Sequence, residues 1–423
     1  MIKVKNSEID VAIVGAGPYG LSIAAYLAGA GVALRIFGAP MDSWQNHMPP
    51  GMHLKSYGDS SSLFDPQSSF TIEHYCREHG IAYHPSQIPV ALETFAAYGK
   101  AFQERFVPRV ENRTLVALTP LDAGYELRFN DGEMTVARRV ILAIGVVPYR
   151  YLPSRLSDRL DPALLSHSAD YGSLSSLTGK SVTVLGGGSS ALDIAALLAR
   201  QGTKVTLVAR SPQLKYQTVP PDDSQQPTGL WRLLGRLKSP PARGLGSGWV
   251  LAACAATPQL IHLLPDRVRH AILDTYLGPS GGYFIRQHIE QRVELKLGRT
   301  IEGIEEHAGH VRLTTIGADG ARDTIETDHL IAATGYRVDL RRLGFLDERS
   351  LERLRMVDHI PVLSGDFESS MPGLYFVGLS SARAFGPIMR FVEGAVHPAT
   401  RLARVLGRSV RRRPSPVSTA LPG

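Results

Sequence analysis

The chain has 423 residues, 43% of them hydrophobic, with a formal net charge of +7 and only two cysteines. That length exceeds a single core and predicts two domains. No apolar run approaches the roughly 20 residues that span a bilayer, and Cys76 and Cys254 are too far apart in sequence for a closely spaced redox dithiol.

The first element in chain order is the aliphatic run Ile9–Val14, followed by GAGPYG and an alanine- and leucine-rich segment. β-branched and apolar residues throughout mark a strand buried on both faces. Gly15 permits the tight turn, Gly17 lets a pyrophosphate reach the backbone, and Gly20 lets the helix pack closely on the strand. Pro18 and Tyr19 lie in the same turn, and the helix N-terminus presents free N–H groups to phosphate. The next strand, Ala33–Gly38, ends in glycine where an acid usually binds the ribose, so that contact is unassigned.

A long loop-rich stretch follows, with Trp44, His47, Met48, Met52, Leu54 and Lys55. Loops of this length in compact enzymes often line sites. Cofactor contact and a surface excursion held by Trp44 are the two readings. Helices are expected over Thr71–Glu78 and Leu92–Phe106, and strands near Thr114–Leu118, Tyr125–Phe129 and Arg139–Ala143. His74 and Cys76 fall on the first of these helices and His79 just past its end, the pattern is amphipathic, and no metal site is expected. At LAIGVVP, with Gly145, the chain crosses to a second domain.

That domain is expected over 176–335. Its opening run, Ser181–Leu185, leads into GGGSSA, a second dinucleotide turn with Gly186 and Gly188, the helix-opening Ser189 and Ser190, and Ala191 in the third small position. The following strand ends in Arg210 and Ser211. An acid there would bind a ribose 2′-hydroxyl, whereas Arg210 suits a 2′-phosphate and hence NADPH, the alternative being a solvated surface arginine. A Pro- and Gly-rich insertion with helices, 213–290, contains the apolar stretch Trp249–Ala256, a helix over Pro265–Tyr276 and the turn LGPSGGYF. Strands near Val311–Thr315 and His329–Ala333 end in ATGY, which contributes Ala333, Thr334, Gly335 and Tyr336. A late strand, Gly373–Val377, leads through Gly378 to Gly386, Pro387 and Ile388, with a final helix from about Pro387. Its N-terminus would stabilise negative charge on a ligand, and Arg383 and Arg390 either help there or are surface residues. Residues 409–423 read as a disordered basic tail.

The fold class is therefore α/β, with two Rossmann-like dinucleotide-binding domains, one inserted into the other. The outer one takes 1–150 and 340–408. Two nucleotide sites imply electron transfer between cofactors. No Ser-His-Asp set or paired carboxylates are visible, so the catalytic residues are unknown.

In order, GAGPYG, LAIGVVP, HSADY (His167–Tyr171), GGGSSA, ATGY and GLYFVG resemble the class B single-component flavin monooxygenases, which include flavin-containing, N-hydroxylating and Baeyer–Villiger enzymes. The resemblance covers nearly the whole chain. It implies FAD on the first turn, with Trp44, His47, Met52, Leu54, Lys55, Gly145, Gly378, Gly386, Pro387 and Ile388 around it, and NADPH on the second. It also implies that NADPH reduces FAD, that O2 adds at flavin C4a, and that the hydroperoxyflavin oxygenates a small nucleophile. The substrate class it implies is an amine or amino-acid-like metabolite that is N-hydroxylated. The segment at His167 is similar to the Baeyer–Villiger linker motif FxGxxxHxxxY/W, but Asp161 and Ala163 replace its Phe and Gly. His167 can equally be a linker residue bonded to backbone. An NADPH-dependent flavoprotein reductase or oxidase without oxygenation is the alternative function. The expected partners are a small molecule and O2 rather than nucleic acid or membrane, in the cytoplasm, with homo-oligomerisation left open.

Overall fold

The computed structural model describes residues 9–218, 242–243, 246–247, 256–276 and 278–411. The chain starts with β1 (Ile9–Val14), α1 (Pro18–Gly29) and β2 (Leu34–Phe37). Helix α1 begins where sequence chemistry says it should. Gly17 is the extended N-cap and Pro18, which has no N–H to waste, takes the first position. Its mostly apolar surface is buried on nearly every side, because it lies between the sheet and the last helix of the chain.

Next come α2 (Asp42–Asn46), α3 (Ile72–Glu78) and α4 (Leu92–Phe106). The Thr71 hydroxyl caps α3 by accepting from the His74 N–H, and Tyr75 and Cys76 point into the core. Strands β3 (Val110–Glu111), β4 (Leu115–Leu121), β5 (Gly124–Phe129) and β6 (Met134–Leu142) complete this part. β3, β2, β1 and β6 form a parallel sheet in that order. The first half of β6 also pairs antiparallel with β5, and β5 with β4, so one long strand serves both a parallel sheet and an antiparallel meander.

The second half repeats this plan. It comprises β7 (Leu165–His167), β8 (Ser181–Leu185), α5 (Ser189–Arg200) and β9 (Lys204–Ala209), then α6 (Pro258–His262), α7 (Asp266–Thr275) and α8 (Arg286–Arg292). These are followed by β10 (Glu294–Leu297), β11 (Arg299–His307), β12 (His310–Gly317), β13 (Arg322–Thr327) and β14 (His329–Ala332). The parallel order is β10-β9-β8-β14-β7, and β11-β12-β13 form the antiparallel meander. The chain then returns to the first sheet, where β15 (Leu374–Phe376) pairs in parallel with the end of β6, and closes with α9 (Val396–Arg411). The α/β class and the insertion of one parallel-sheet unit within another are thus as the sequence indicates.

Three boundaries differ from expectation. The second sheet takes in β7, upstream of residue 176, because Leu165–His167 completes its edge beside β14. No long helix starts at Pro387: residues Pro387–Arg390 make one 3-10 turn, Phe391 is extended, and α9 begins only at Val396. The reason is tertiary. The Tyr19 hydroxyl shares its proton between the carbonyls of Met389 and Phe391, 3.0 Å from each. A continuing helix would claim those same carbonyls for its own ladder. Finally, α9 runs through residues 409–411, and the remainder of the expected tail, 412–423, lies outside the described residues. So do most of the 213–290 insertion upstream of α6, residues 249–255 of its apolar stretch, and Cys254.

Candidate functional site: two glycine turns and the loop that bridges them

Both turns have a shape that side chains would destroy. Gly15 has φ +108°, and a Cβ there would stand 2.2 Å from the Ala143 carbonyl oxygen. A Cβ on Gly20 would fall 1.8 Å from the Gly15 carbonyl oxygen. The second turn copies the first: Gly186 has φ +139°, and its Cβ would meet the Ala333 carbonyl oxygen at 2.4 Å. Each first glycine therefore lies beneath the crossover strand that leaves its sheet, since β6 runs beside β1 and β14 beside β8. The N-caps Gly17 and Gly188 are extended and bring no side-chain cap. The first N–H groups of α1 and α5 are left for a ligand, where the helix field favours an anion.

The first turn is closed in by its neighbours. Trp44 packs over Gly17, with its ring 3.6 Å from where a Cβ would be, and stacks obliquely on Phe95. Gly378, at φ +71°, lies against the Tyr19 ring, and Gly145, also at φ +71°, faces the Ser43 hydroxyl. Pro387 and Ile388 are buried beside Tyr19's carbonyl partners, and Gly386 faces Ile261 of α6 instead. Buried Tyr149, which bonds the Ser380 hydroxyl at 2.9 Å, fixes the same segment and was not singled out from the sequence. Gly38 explains its missing acid. It has φ +125°, a backbone conformation that L side chains rarely adopt, so the turn itself favours glycine, while a Cβ would meet Gly15 Cα and the Ala16 nitrogen only at an ordinary 3.4 Å. Nearby Glu111 does not replace it, because Arg35 holds that carboxylate at 2.6 Å.

Around the second turn, Ser189 and Ser190 open α5, and Tyr336 is half-buried with its phenol pushed up by burial. The Thr334 hydroxyl donates to the Tyr151 carbonyl, which ties ATGY to the crossing segment. His167 secures the same turn. Its Nδ1 accepts from the Ala169 N–H, so Nε2 carries the proton and donates to the Gly335 carbonyl at 3.1 Å. Burial lowers its pKa and holds it neutral, which is the backbone-bonded reading of this residue. Arg210 stands exposed just past β9, while the Ser211 hydroxyl donates to the Gln213 carbonyl. Pro279, from the LGPSGGYF turn, comes within 3.1 Å of a Cβ placed on Gly188.

The loop carrying His47, Met52, Leu54 and Lys55 divides between the two halves. His47 Nδ1–H donates to the Ala169 carbonyl at 2.7 Å. Met52 packs with the core of the second half, beside Tyr171 and Leu197, whereas Leu54 packs on the first. Lys55 reaches α5, where its ammonium sits 2.6 Å from Asp193 Oδ1 and 5.1 Å from the centre of the Phe284 ring. Burial pushes the Asp193 pKa up, and Lys55 pulls it down. Trp44 thus joins the first turn, while Met52 and Lys55 join the two halves. Asp193 and Phe284 escaped sequence reasoning, although an acid inside the otherwise apolar run ALDIAALLA was a visible signal.

Arg383 is engaged by Asp266 at 2.9 Å and Asp358 at 2.8 Å, which pins α7 to the C-terminal segment and leaves no free guanidinium for a cofactor. Among the described residues, no group of three or more His, Cys, Asp or Glu is placed to hold a metal, and no helix is long and apolar enough to cross a membrane.

The model of the L-lysine 6-monooxygenase/L-ornithine 5-monooxygenase family matches residues 7–225, which take in both turns and Arg210. Ornithine hydroxylase PvdA of Pseudomonas aeruginosa superposes with a TM-score of 0.75 at 16% identity, over 95% of this chain and 100% of that one. The ornithine N-hydroxylase of Kutzneria sp. 744, solved with reduced FAD, NADP+ and L-ornithine, gives 0.73 at 17% identity, over 95% and 100%. Indole-3-pyruvate monooxygenase YUCCA1 of Oryza sativa subsp. japonica is 25% identical over 77% of this chain and 76% of its own. A match over more than half of the sequence, containing both cofactor-type turns in the order that the fold requires, shows that the chain belongs to the L-lysine 6-monooxygenase/L-ornithine 5-monooxygenase family.

Proposed function

We propose that this protein is an FAD- and NADPH-dependent monooxygenase that hydroxylates the nitrogen of a small amine or amino-acid-like substrate. FAD belongs to the first turn and first sheet, and NADPH to the second. The observation that carries this reading is the pair of uncapped helix N-termini, each under a crossover strand and each so tight that a Cβ on Gly15 or Gly186 would strike backbone. That cradle suits the pyrophosphate of a dinucleotide. When bound, the nicotinamide supplies two electrons and the flavin supplies dioxygen activation.

The protein binds, orients and shields. α1 offers its first N–H groups to the flavin diphosphate, and Trp44 and Tyr19 close that turn against water. α5 does the same for the nicotinamide nucleotide, and exposed Arg210 is available to a 2′-phosphate. His167 keeps Gly335 and Tyr336 in place without changing its own protonation near neutrality. The overall reaction balances as amine, O2, NADPH and one proton giving hydroxylamine, NADP+ and water.

The test follows NADPH consumption and hydroxylamine formation over L-ornithine, L-lysine, cadaverine and a wider amine panel. Hydroxylamine equal to the NADPH consumed, for at least one amine, is the expected result. Peroxide equal to NADPH for every amine would overturn the proposal and leave an NADPH oxidase.

A further inference from the structure

A cavity of about 270 Å3 is lined by no residue of either glycine turn. Gly51, Met52, His53 and Pro89 line it from the first half, and Asp193, Ala196, Leu197, Arg200, Phe284, Ile285 and His288 from the second. No residue of either glycine turn, of the crossover ends at Ala143 and Ala333, or of the 378–388 segment contributes to its wall. It therefore sits along the outer face of α5, toward that helix's C-terminal end, and not over the helix N-terminus where phosphate would bind.

Its chemistry is asymmetric. One wall is apolar: Met52, Pro89, Ala196, Leu197, Phe284 and Ile285. The single lining carboxylate, Asp193, is matched by Lys55 at 2.6 Å. Phe284 is held between that ammonium, 5.1 Å from its ring centre, and the His53 ring at 5.0 Å. Glu93, just behind the wall, accepts from the Gly51 N–H. The cation left over is Arg200, exposed at the cavity edge and without a hydrogen-bonding or ionic partner among the described residues. A guanidinium lining the same cavity as an apolar wall, together with His53 and His288, is a recognition set for a carboxylate attached to an apolar body.

We propose that this cavity binds a small apolar or aromatic carboxylate, with its carboxylate on Arg200 and its body against Leu197 and Phe284, at a site separate from the two nucleotide sites. Because both halves supply the wall, an occupant joins them and stabilises their packing. Nothing in this assignment depends on what the enzyme oxygenates.

The flavin-loaded protein, first without and then with saturating NADP+, is titrated with benzoate and with its neutral isostere benzamide by calorimetry. Benzoate should bind at least about tenfold more tightly than benzamide, which is what one charge-assisted hydrogen bond confers. Arg200→Gln, at an exposed side chain, should erase that preference while flavin content and unfolding temperature stay as in the wild type. Leu197→Trp should fill the cavity and abolish binding of both. Equal binding of the two compounds, no binding of benzoate, an unchanged Arg200→Gln, or displacement of benzoate by NADP+ would each overturn the proposal. The last outcome would make the cavity part of the nucleotide site. Should Leu197→Trp fail to fold, Arg200→Gln decides.

Discussion

Removing the ammonium of Lys55 tests how the two halves are held together. Lys55 and Asp193 are 138 positions apart, and their side chains are only 16% and 8% exposed. In the Lys55→Met variant, the Asp193 carboxylate stays buried but loses the charge that offsets its desolvation. Leaving one partner of a buried pair uncompensated costs about 3–5 kcal/mol. Protonation sets a ceiling on that loss. Neutralising a carboxyl with an unfolded-state pKa near 3.9 costs about 1.4 kcal/mol for each pH unit above it, so about 4 kcal/mol at pH 7 and about 1.5 kcal/mol at pH 5.

The sign follows from the direction of the shift. Burial raises the Asp193 pKa, so the folded state binds the extra proton. A raised folded pKa gives stability that is present at low pH and is lost as pH rises through the window between the unfolded and folded values. Lys55→Met moves the folded value further up, so the gap between variant and wild type should widen from pH 5 to pH 7. Urea unfolding at both pH values measures it. The double variant Lys55→Met/Asp193→Leu, which removes both charges from an apolar neighbourhood, should return to within about 1 kcal/mol of wild type. A single-variant loss below about 1 kcal/mol that does not change with pH would mean the pair behaves as a solvated surface pair, and the reasoning would fail.

Gly15→Ala should yield protein with little flavin, because a Cβ would meet the Ala143 carbonyl at 2.2 Å. Gly31→Ala is the control: its φ is also positive but nothing lies within 4 Å, so it should lose about 1 kcal/mol and keep its flavin, as the absorbance ratio of flavin to protein would show. Arg210→Ala should raise the apparent KM for NADPH at least about tenfold while leaving that for NADH unchanged, and equal effects in steady-state assays would remove its assigned role. Arg383→Ala should loosen α7 from Asp358 and the C-terminal segment, so that limited proteolysis cuts 256–276 faster while the flavin content is kept. Loss of flavin instead would return Arg383 to the cofactor site.

The parts legible in the sequence are those decided locally. Ile9–Val14 and Ser181–Leu185 are strands for their whole predicted length, and Leu92–Phe106 is a helix with the predicted ends, because apolar spacing and glycine position act within a few residues. Leu165–His167 was missed because three residues at a sheet edge carry no alternation to read. The helix expected at Pro387 failed because its carbonyls are taken by a tyrosine some 370 positions away. The Lys55–Asp193 pair was half hidden: an acid inside the apolar run ALDIAALLA stands out, but its partner, a lysine 138 positions away in a loop, looks ordinary until the fold brings them together. Gly38 shows the reverse case. The absence of an acid was visible, but its cause, the positive φ of the backbone at that turn, was not.

The two halves repeat one backbone device and then cover it differently. Over the first turn lie Trp44, Tyr19 with its two carbonyl partners, and the Gly378–Ile388 segment, drawn from three separate stretches of chain. Over the second, Pro279 approaches Gly188, and beyond β9 the exposed Arg210 faces solvent. A ligand on the first turn would leave only if the segments packed over it part. On the proposed assignment of FAD to the first turn, that cover would keep the flavin in place from one cycle to the next. The two turns share one backbone device, with Gly15 and Gly186 each tight against a neighbouring strand end, and the segments folded over them are what differ.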